Sequence, residues 1–300
     1  MRPSRRHFPR SQVAFLAALL LLAIPPGSTQ PRVFTVPAGE PPLTATSLPF
    51  DALPDTHVGH GSNDIVDAWL AEPTERYRHG ILGDYIEAGA LRVRTRSGAV
   101  LTYRLSGNSV FEDLYPRVHD INNDGHDEVI LIHSRQYAGS SVMALGIRDG
   151  SLVPIAETEP IGEPNRWLNP VGVADVNGDG RLELLVVLTP HVGGTLAAYR
   201  LEASGFRMTQ KIGGVSNHVI GSRAKRLGAF IDVNADGIPE VVVPSADRMH
   251  LRAISFSSGT PVDIARISLP SPVVGDFEFH PPYTLIVPLE DGRRTRVVWR

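Results

Sequence analysis

The chain has no cysteine, no long apolar run after its first residues, and none of the common catalytic motifs. Without cysteine it can form no disulfide and is not a lipoprotein, so stability must come from a packed core and from bound ions. No segment reaches the roughly 18 apolar residues of a membrane-spanning helix, so no mature transmembrane segment is expected. There is no G-x-S-x-G elbow, no H-E-x-x-H pair and no P-loop, so the sequence gives little support to catalysis.

The first residues are typical of an export signal. Four arginines precede an apolar run from Val13 to Ile24, and a proline pair and small residues follow. We therefore predict a signal peptide over residues 1–29 and a periplasmic or secreted location. Ser4 to Arg10 reads SRRHFPR, which resembles the twin-arginine consensus; both twin-arginine and Sec export remain open.

Composition divides the rest of the chain into two parts. Residues 30–57 are rich in proline and are predicted to be a linker, whereas residues 58–300 have enough apolar content for one large all-β domain. Removal of the four signal-peptide arginines moves the formal net charge from -3 to -7. An acidic mature chain argues against nucleic acid as a partner.

One nine-residue pattern occurs three times, as DINNDGHDE at 120–128, DVNGDGRLE at 175–183 and DVNADGIPE at 232–240. Side-chain oxygens at positions 1, 3, 5 and 9, with the carbonyl at position 7, can converge on one hard cation because glycine at position 6 permits a sharp turn. An EF-hand would need a glutamate at position 12, where this chain has Leu131, Val186 and Val243. The pattern predicts calcium loops that join two strands; the alternative is a polar hairpin turn.

The predicted metal ligands are the same five positions in each loop, with position 7 acting through its backbone carbonyl. They are Asp120, Asn122, Asp124, His126 and Glu128; Asp175, Asn177, Asp179, Arg181 and Glu183; and Asp232, Asn234, Asp236, Ile238 and Glu240. Seven protein-derived oxygens suit Ca²⁺ better than Mg²⁺, so we expect up to three structural calcium sites.

Loops of this kind, set between strands and repeated at intervals of 55 and 57 residues, resemble the FG-GAP/VCBS repeats of bacterial exported proteins and of the integrin α-subunit head. The resemblance covers about residues 76–300. It implies an all-β fold, a β-propeller of four-stranded antiparallel blades, with calcium in the hairpin between the first and second strands of three blades. It implies no activity.

The strand pattern around the loops predicts about five blades, with six or seven still open. After each loop an apolar segment, an alternating segment, a tight turn and a returning segment follow in order, as in an antiparallel meander. Residues 81–84 (ILGD) are predicted to open a first blade and residues 273–276 (VVGD) a last one, both without metal. Residues 65–70 (IVDAWL) are then predicted to pair with the last blade and close the ring.

The loops that enter each first strand should lie on the face opposite the calcium hairpins. They are rich in Arg, His and Asn, which could bind an anionic or sugar-like ligand through forked hydrogen bonds and ring stacking. The alternative is that these groups only pin the loops to one another. The candidate ligand-binding residues are Arg76, His79, Glu112, Asp113, Asn165, Arg166, Trp167, Asn169, His191, Asn217, His218 and Arg223.

From these features we expect an exported calcium-binding propeller that binds an envelope or extracellular protein or glycan without catalysis. One alternative is a hydrolase or lyase acting on a polysaccharide or phosphorylated substrate at the same loops. Clustering of His79, Glu112, His191 and His218 within hydrogen-bond reach would favour it. The other alternative is a scaffolding subunit of an envelope complex, which an exposed apolar patch on a blade edge would favour.

Overall fold

The computed structural model describes residues 31–36 and 48–300. The predicted signal peptide at residues 1–29, and part of the predicted linker, lie outside the described residues. All regular secondary structure within the described ranges is β-strand. No helix in this part of the chain has the length and hydropathy to cross a membrane.

The described residues contain 21 strands. They are β1 Arg32–Val36, β2 Gly59–His60, β3 Ile65–Thr74, β4 Glu87–Thr95, β5 Val100–Arg104, β6 Ser109–Phe111, β7 Arg117–His119, β8 Glu128–Arg135, β9 Gly139–Arg148, β10 Ser151–Glu157, β11 Leu168–Ala174, β12 Glu183–Leu188, β13 Thr195–Glu202, β14 Gly205–Gly213, β15 Ala229–Ile231, β16 Glu240–Pro244, β17 His250–Ser255, β18 Val262–Ser268, β19 Glu278–His280, β20 Thr284–Pro288 and β21 Arg294–Val298.

These strands form five four-stranded antiparallel units. In chain order the units are β2–β5, β7–β10, β11–β14, β15–β18, and β19–β21 completed by β1. Strand β6 pairs with both β4 and β8, so the first two units belong to one nine-stranded sheet. The prediction of an all-β fold of four-stranded antiparallel blades is confirmed.

In the first four units the second strand is buried on both faces and so holds the core together, whereas β20 of the last unit is fully buried only at alternate residues. In β12, Leu184 and Val186 pack with the first two units, whereas Leu185 and Val187 pack with the fourth. Since successive side chains of a strand point to opposite faces, the unbroken apolar run ELLVVL supplies both interfaces. A third apolar cluster joins the fourth and fifth units.

Two predictions about the ends of the domain are wrong. Residues 65–70 do not pair with the last unit; they lie in β3, where Ala68 faces Gly59 of β2 and Leu70 faces Leu91 of β4. Residues 81–84 are not a strand but part of the β3–β4 loop. The reason is that the first hairpin of this unit is only residues 61–64, without the repeated loop, so no motif marked its place in the sequence.

The last unit takes its outer strand from the start of the described chain. Strand β1 pairs antiparallel with β21, with Phe34 opposite Arg296. This strand lies inside the segment predicted to be a linker. The prediction rests on composition, and there the short apolar stretch VFTV is surrounded by proline. The predicted opening residues 273–276 of this unit contribute one bridge, Val273 to Leu289, before β19 begins at Glu278.

Candidate functional site

The strand order separates two kinds of loop. The repeated loops join the first and second strands of the second, third and fourth units, and we number them in order as the first (120–128), second (175–183) and third (232–240) loops. Because adjacent strands are antiparallel, the segments entering each first strand lie at the other end of the units. We call that end the loop face, formed by residues 75–86, 112–116, 158–167, 189–194 and 214–228.

A pocket of about 120 Å³ lies on the loop face. Five of the twelve predicted ligand-binding residues line it: His79, Asn165, Arg166, Trp167 and His191. Four further lining residues were not predicted, namely Ile81, Thr189, Val192 and Ile220. These four residues belong to no recognisable motif, and they line the pocket only because separate loops meet there in the folded protein.

His191, which lines the pocket, is hydrogen-bonded to the buried His218 behind it. His191 Nε2 lies 3.0 Å from His218 Nδ1, and His218 Nε2 lies 2.9 Å from the carbonyl oxygen of Ser222. Burial, with Arg248 and His79 nearby, lowers the pKa of His191 to about 4, and burial lowers that of His218 to about 3. Both rings are therefore neutral at physiological pH.

Neutrality fixes the tautomers along this chain of bonds. A carbonyl oxygen only accepts, so His218 Nε2 carries the proton and its Nδ1 accepts from His191 Nε2–H. Nδ1 of His191 is then the nitrogen that accepts. Trp167 stacks against His191 at a centroid distance of 6.0 Å and holds the ring in place. The pocket thus includes an oriented hydrogen-bond acceptor.

A histidine–carboxylate pair also lies at the pocket, with His79 in its lining and Glu112 buried. His79 Nδ1 is 2.7 Å from Glu112 Oε1, and Ser134 Oγ donates to Glu112 Oε2 at 2.6 Å. Glu112 is fully buried, and its backbone carbonyl accepts a hydrogen bond from Trp167 Nε1 at 3.3 Å. The four residues whose clustering would favour an enzyme therefore form two pairs, and within residues 31–36 and 48–300 no hydrogen bond joins one pair to the other.

A buried ion pair lies beneath the pocket. Lys225 Nζ bonds Asp113 Oδ1, and neither side chain is exposed to solvent. Burial alone would raise the pKa of Asp113, but Arg117 and Lys225 hold it at about 2, whereas burial lowers the pKa of Lys225 to about 8. Lys225 Nζ also lies 4.9 Å from the ring centroid of Trp167. This pair ties the second unit to the fourth.

The other predicted ligand-binding residues contact the protein itself. Asn169 donates to the carbonyls of Asn217 and Lys225 at 3.1 and 2.8 Å, and Asn217 donates back to the carbonyl of Asn169 at 3.1 Å. Arg76 donates to the carbonyl of Ser109 at 2.8 Å. Arg223 bonds Asp55, Asp84 and the carbonyl of Leu82, and so links the fourth unit to the first.

The three repeated loops share one internal geometry. In the first loop, Asp120 accepts from the backbone N–H of Asp124 and Gly125 at 3.0 and 2.8 Å, and Asn122 accepts from Asp124 at 2.9 Å. The glycine at position 6 has a φ of 86°, 82° and 87° in the first, second and third loops. Residues other than glycine rarely adopt such a backbone conformation. The closing glutamate accepts from the N–H at position 2 in all three.

Comparison with known families identifies this part of the chain. Residues 120–186, from the first loop through the second, match the FG-GAP-like repeat. The chain contains an FG-GAP-like repeat. Since FG-GAP repeats form propellers, the four-stranded antiparallel units are those of a β-propeller, and the repeat suggests a protein-binding module. No curated protein matches the chain.

The first loop carries oxygen donors of the kind that a divalent cation takes. Oε1 of its closing Glu128 is buried without a hydrogen-bond partner in the described residues, and burial raises the pKa of this carboxyl to about 7. A cation at this point would compensate the buried carboxylate, with Asp120, Asn122 and Asp124 as further oxygen donors. Across residues 31–36 and 48–300, no group of three His, Asp or Glu side chains is placed to hold a metal ion.

The other two repeated loops differ at the corresponding point. In the third loop Glu240 Oε1 has only Asn234 Nδ2 at 3.3 Å, which leaves room for a stronger partner. In the second loop the guanidinium of Arg200 bonds Glu183 Oε1 and lies 2.6 Å from Asp179 Oδ2. The second loop, with these two carboxylates already paired to a cation, does not fit calcium in the same way.

Proposed function

We propose that this chain is a non-catalytic protein-binding propeller, exported to the periplasm or beyond the cell, whose loop face binds an extended segment of a partner protein. The observation that carries this proposal is the loop-face pocket, in a propeller that contains an FG-GAP-like repeat. The apolar run that follows four arginines at the N-terminus supports export. An envelope or extracellular protein is therefore the partner class we propose.

The shape of the loop face supports an extended partner. A second depression, lined by Arg76, Arg78 and Tyr137 among others, shares Asn165 with the pocket. Two adjoining depressions suit a peptide strand that inserts neighbouring side chains, as in other peptide-binding grooves. A compact ligand would need only one of them.

The pocket combines exposed apolar side chains with polar and charged groups, as protein-binding surfaces usually do. Ile220 and Val192 are 66% and 59% exposed, so their apolar surface is available to a partner. Nδ1 of His191 can accept from a peptide N–H or a hydroxyl, and Arg166, paired with Glu163 at 3.0 Å, can share its guanidinium with a carboxylate.

A charge placed on this apolar surface should prevent binding. Peptides would be selected from a random display library on the immobilised mature chain, and the strongest binder would be titrated by fluorescence anisotropy. Ile220→Asp should weaken that peptide at least tenfold, about 1.4 kcal/mol, because the side chain is buried on binding. Val262→Asp, at an equally apolar exposed position on β18, is the matched control and should leave the affinity unchanged. Equal effects of the two variants would contradict the proposed site.

We also propose that calcium stabilises the propeller. Extracellular-type sites bind calcium at roughly 10⁻⁴ to 10⁻³ M, so about 1 mM calcium contributes about 1.4 kcal/mol at a site of the tighter kind. Asp124 is the residue to test because its Oδ1 accepts from the N–H of His126 at 2.9 Å, a bond that asparagine can keep. The change to asparagine therefore removes a charge and retains the turn.

Asp124→Asn should lower the melting temperature by about 2–4 °C in calcium and leave it unchanged in chelator. The measurement is differential scanning fluorimetry of the mature chain with 2 mM calcium or with EDTA. Asp149→Asn, in the β9–β10 turn, is the control, because Asp149 is also acidic and next to a glycine with positive φ but lies outside the repeated loops. The same loss in EDTA as in calcium would mean that Asp124 serves the turn alone.

A hydrolase or lyase remains the second candidate function. The observation that favours it is the pair formed by His79 and Glu112, since a histidine oriented by a buried carboxylate is a common general base. His79 lines the same pocket and is 13% exposed, so a substrate could reach it. The neutral His191 could in turn accept a hydrogen bond from the substrate, although the two pairs lack a shared hydrogen bond in the described part of the chain.

A further inference from the structure

The carboxylates of the second loop are paired with a positively charged side chain of the protein, the guanidinium of Arg200. Arg200 bonds Glu183 Oε1 and Asp179 Oδ2, the residues at positions 9 and 5 of the loop. Its side chain is 13% exposed and that of Glu183 is 1% exposed, so solvent screens this contact only weakly. Charge-assisted hydrogen bonds of this kind are about twice as strong as neutral ones.

The strand register explains why only one loop has this arrangement. Glu183 pairs with Arg200 across β12 and β13. In the second unit Val129 pairs with Leu145, so the residue opposite the closing Glu128 is Gly146. In the fourth unit Val241 pairs with Ile254, so the residue opposite the closing Glu240 is Ser255. Neither glycine nor serine can place a cation between the loop carboxylates.

Arginines near the other two loops do not reach the closing glutamate. Arg148 lies 3.3 Å from Asp124 Oδ2, with both side chains well exposed. Arg300 contacts Asp232, at 3.1 Å from its Oδ1, and the backbone carbonyl of the same residue. Each therefore pairs with one acid at the edge of its loop, whereas Arg200 bridges two.

We infer that Arg200 is the resident cation of the second loop and that calcium binds the first and third loops only. This inference rests on the proposed calcium function. A calcium ion at the second loop would have to displace the guanidinium from both carboxylates, or lie beside it against direct charge repulsion. Arg200 thus makes the stability of the third unit independent of calcium.

The number of bound calcium ions tests the inference directly. Calcium bound per mature chain would be counted by native mass spectrometry and by isothermal titration. The wild type should bind two ions, and Arg200→Ser should bind three, because serine is the residue found opposite the third loop. Arg207→Ser is the matched control, since Arg207 pairs with Glu202 on the same unit outside the loop, and it should still bind two.

The reverse exchange should remove a site. Ser255→Arg places an arginine opposite Glu240, as in the second loop, and should reduce the count from two to one. Near-ultraviolet circular dichroism would show that the variant is folded, because Ser255 is buried. Should it not fold, the Arg200→Ser count alone decides.

Melting in EDTA gives a readout that does not depend on calcium affinity. Arg200→Ser should melt at least about 5 °C below the wild type in EDTA, because two loop carboxylates lose their cation, and 2 mM calcium should restore most of the loss. Three ions on the wild type, or an unchanged melting temperature of Arg200→Ser in EDTA, would overturn the role of Arg200. No calcium on any form would overturn the calcium proposal, while the EDTA result would still decide whether Arg200 is the internal cation.

Discussion

Replacing Asp113 with alanine is expected to lower the free energy of unfolding by about 3–5 kcal/mol. The side chain is fully buried and accepts from the backbone N–H of Leu114, Tyr115 and Ile132 at 2.8, 3.1 and 3.1 Å. It also neutralises Lys225 and Arg117. Alanine leaves the three N–H groups without an acceptor and a buried lysine without its counter-ion, and each of these is costly.

Urea unfolding followed by tryptophan fluorescence measures this loss. Asp84→Ala is the matched control, because Asp84 pairs with Arg223 on the same face but both are exposed, and its loss should stay within about 1 kcal/mol. The double variant Asp113→Asn, Lys225→Met removes both charges of the pair and keeps one acceptor oxygen, for the N–H groups of Leu114 and Tyr115, so it should recover part of the stability. Similar losses for Asp113→Ala and Asp84→Ala would contradict the role of the buried pair.

The same carboxylate contributes to acid stability. Its folded pKa of about 2 lies below the usual value of 3.8, so its contribution is present above about pH 4 and is lost as the pH falls toward 2. Asp113→Ala should therefore show a flatter stability curve than the wild type between pH 4 and pH 2.

The repeated loops were predictable because their information is local. Three positions within nine residues specify the turn: an acid at position 1, glycine at position 6, which adopts a positive φ, and glutamate at position 9, which accepts the closing hydrogen bond. The structure contains this turn three times. The strands after each loop are likewise local, since an unbroken β-branched run is suited to a strand buried on both faces. Where the loop was missing, as at residues 61–64, the order of strands could not be recovered.

The loop face was harder to predict because polar loop residues have the same composition whether they bind a ligand or the protein. Residues 223–226 read RAKR, which resembles a solvated charge run. Lys225 is nevertheless buried against Asp113, whereas Arg223 and Arg226 pair with acids of other units at partly exposed positions. The choice among three cations depends on contacts more than 100 residues away in the chain, such as that with Asp113, and no local pattern encodes it.

The role of Arg200 was harder to predict than the repeated loops but easier than the contacts of the loop face. Strand alternation places it on β13, and nothing in the segment TLAAYRLE distinguishes it from an exposed arginine. The hairpin register does distinguish it, because counting back through the turn between β12 and β13 sets Arg200 opposite Glu183. Strand pairing inferred from the hairpin would therefore have been enough to identify a loop with an internal cation.

Replacing Glu87 with glutamine is expected to make the protein more stable at alkaline pH. Glu87, the first residue of β4, is 1% exposed, and neither carboxyl oxygen is hydrogen-bonded to a protein group within the described residues. Burial, and then repulsion from Glu112, raise its pKa far above the usual range. The folded protein therefore keeps the proton well above the pH at which the unfolded chain releases it.

The sign of the pH effect follows from this difference. With a raised folded pKa, the contribution of Glu87 is fully present below the unfolded pKa near 4.5 and declines, by about 1.4 kcal/mol per pH unit at most, as the pH rises toward the folded value. Glutamine resembles the protonated acid and cannot ionise. Glu87→Gln should match the wild type near pH 4.5 and exceed it by on the order of 3 kcal/mol at pH 8.

Urea unfolding at intervals from pH 4.5 to pH 9 measures the divergence of the two curves. Glu290→Gln removes a carboxyl from an exposed position and should follow the wild type throughout. Parallel curves for Glu87→Gln and the wild type would mean that Glu87 ionises in the folded protein as it does in the unfolded chain. A widening gap would show that the protein keeps a neutral acid in its interior, and that Glu87 contributes to the decline of stability with rising pH.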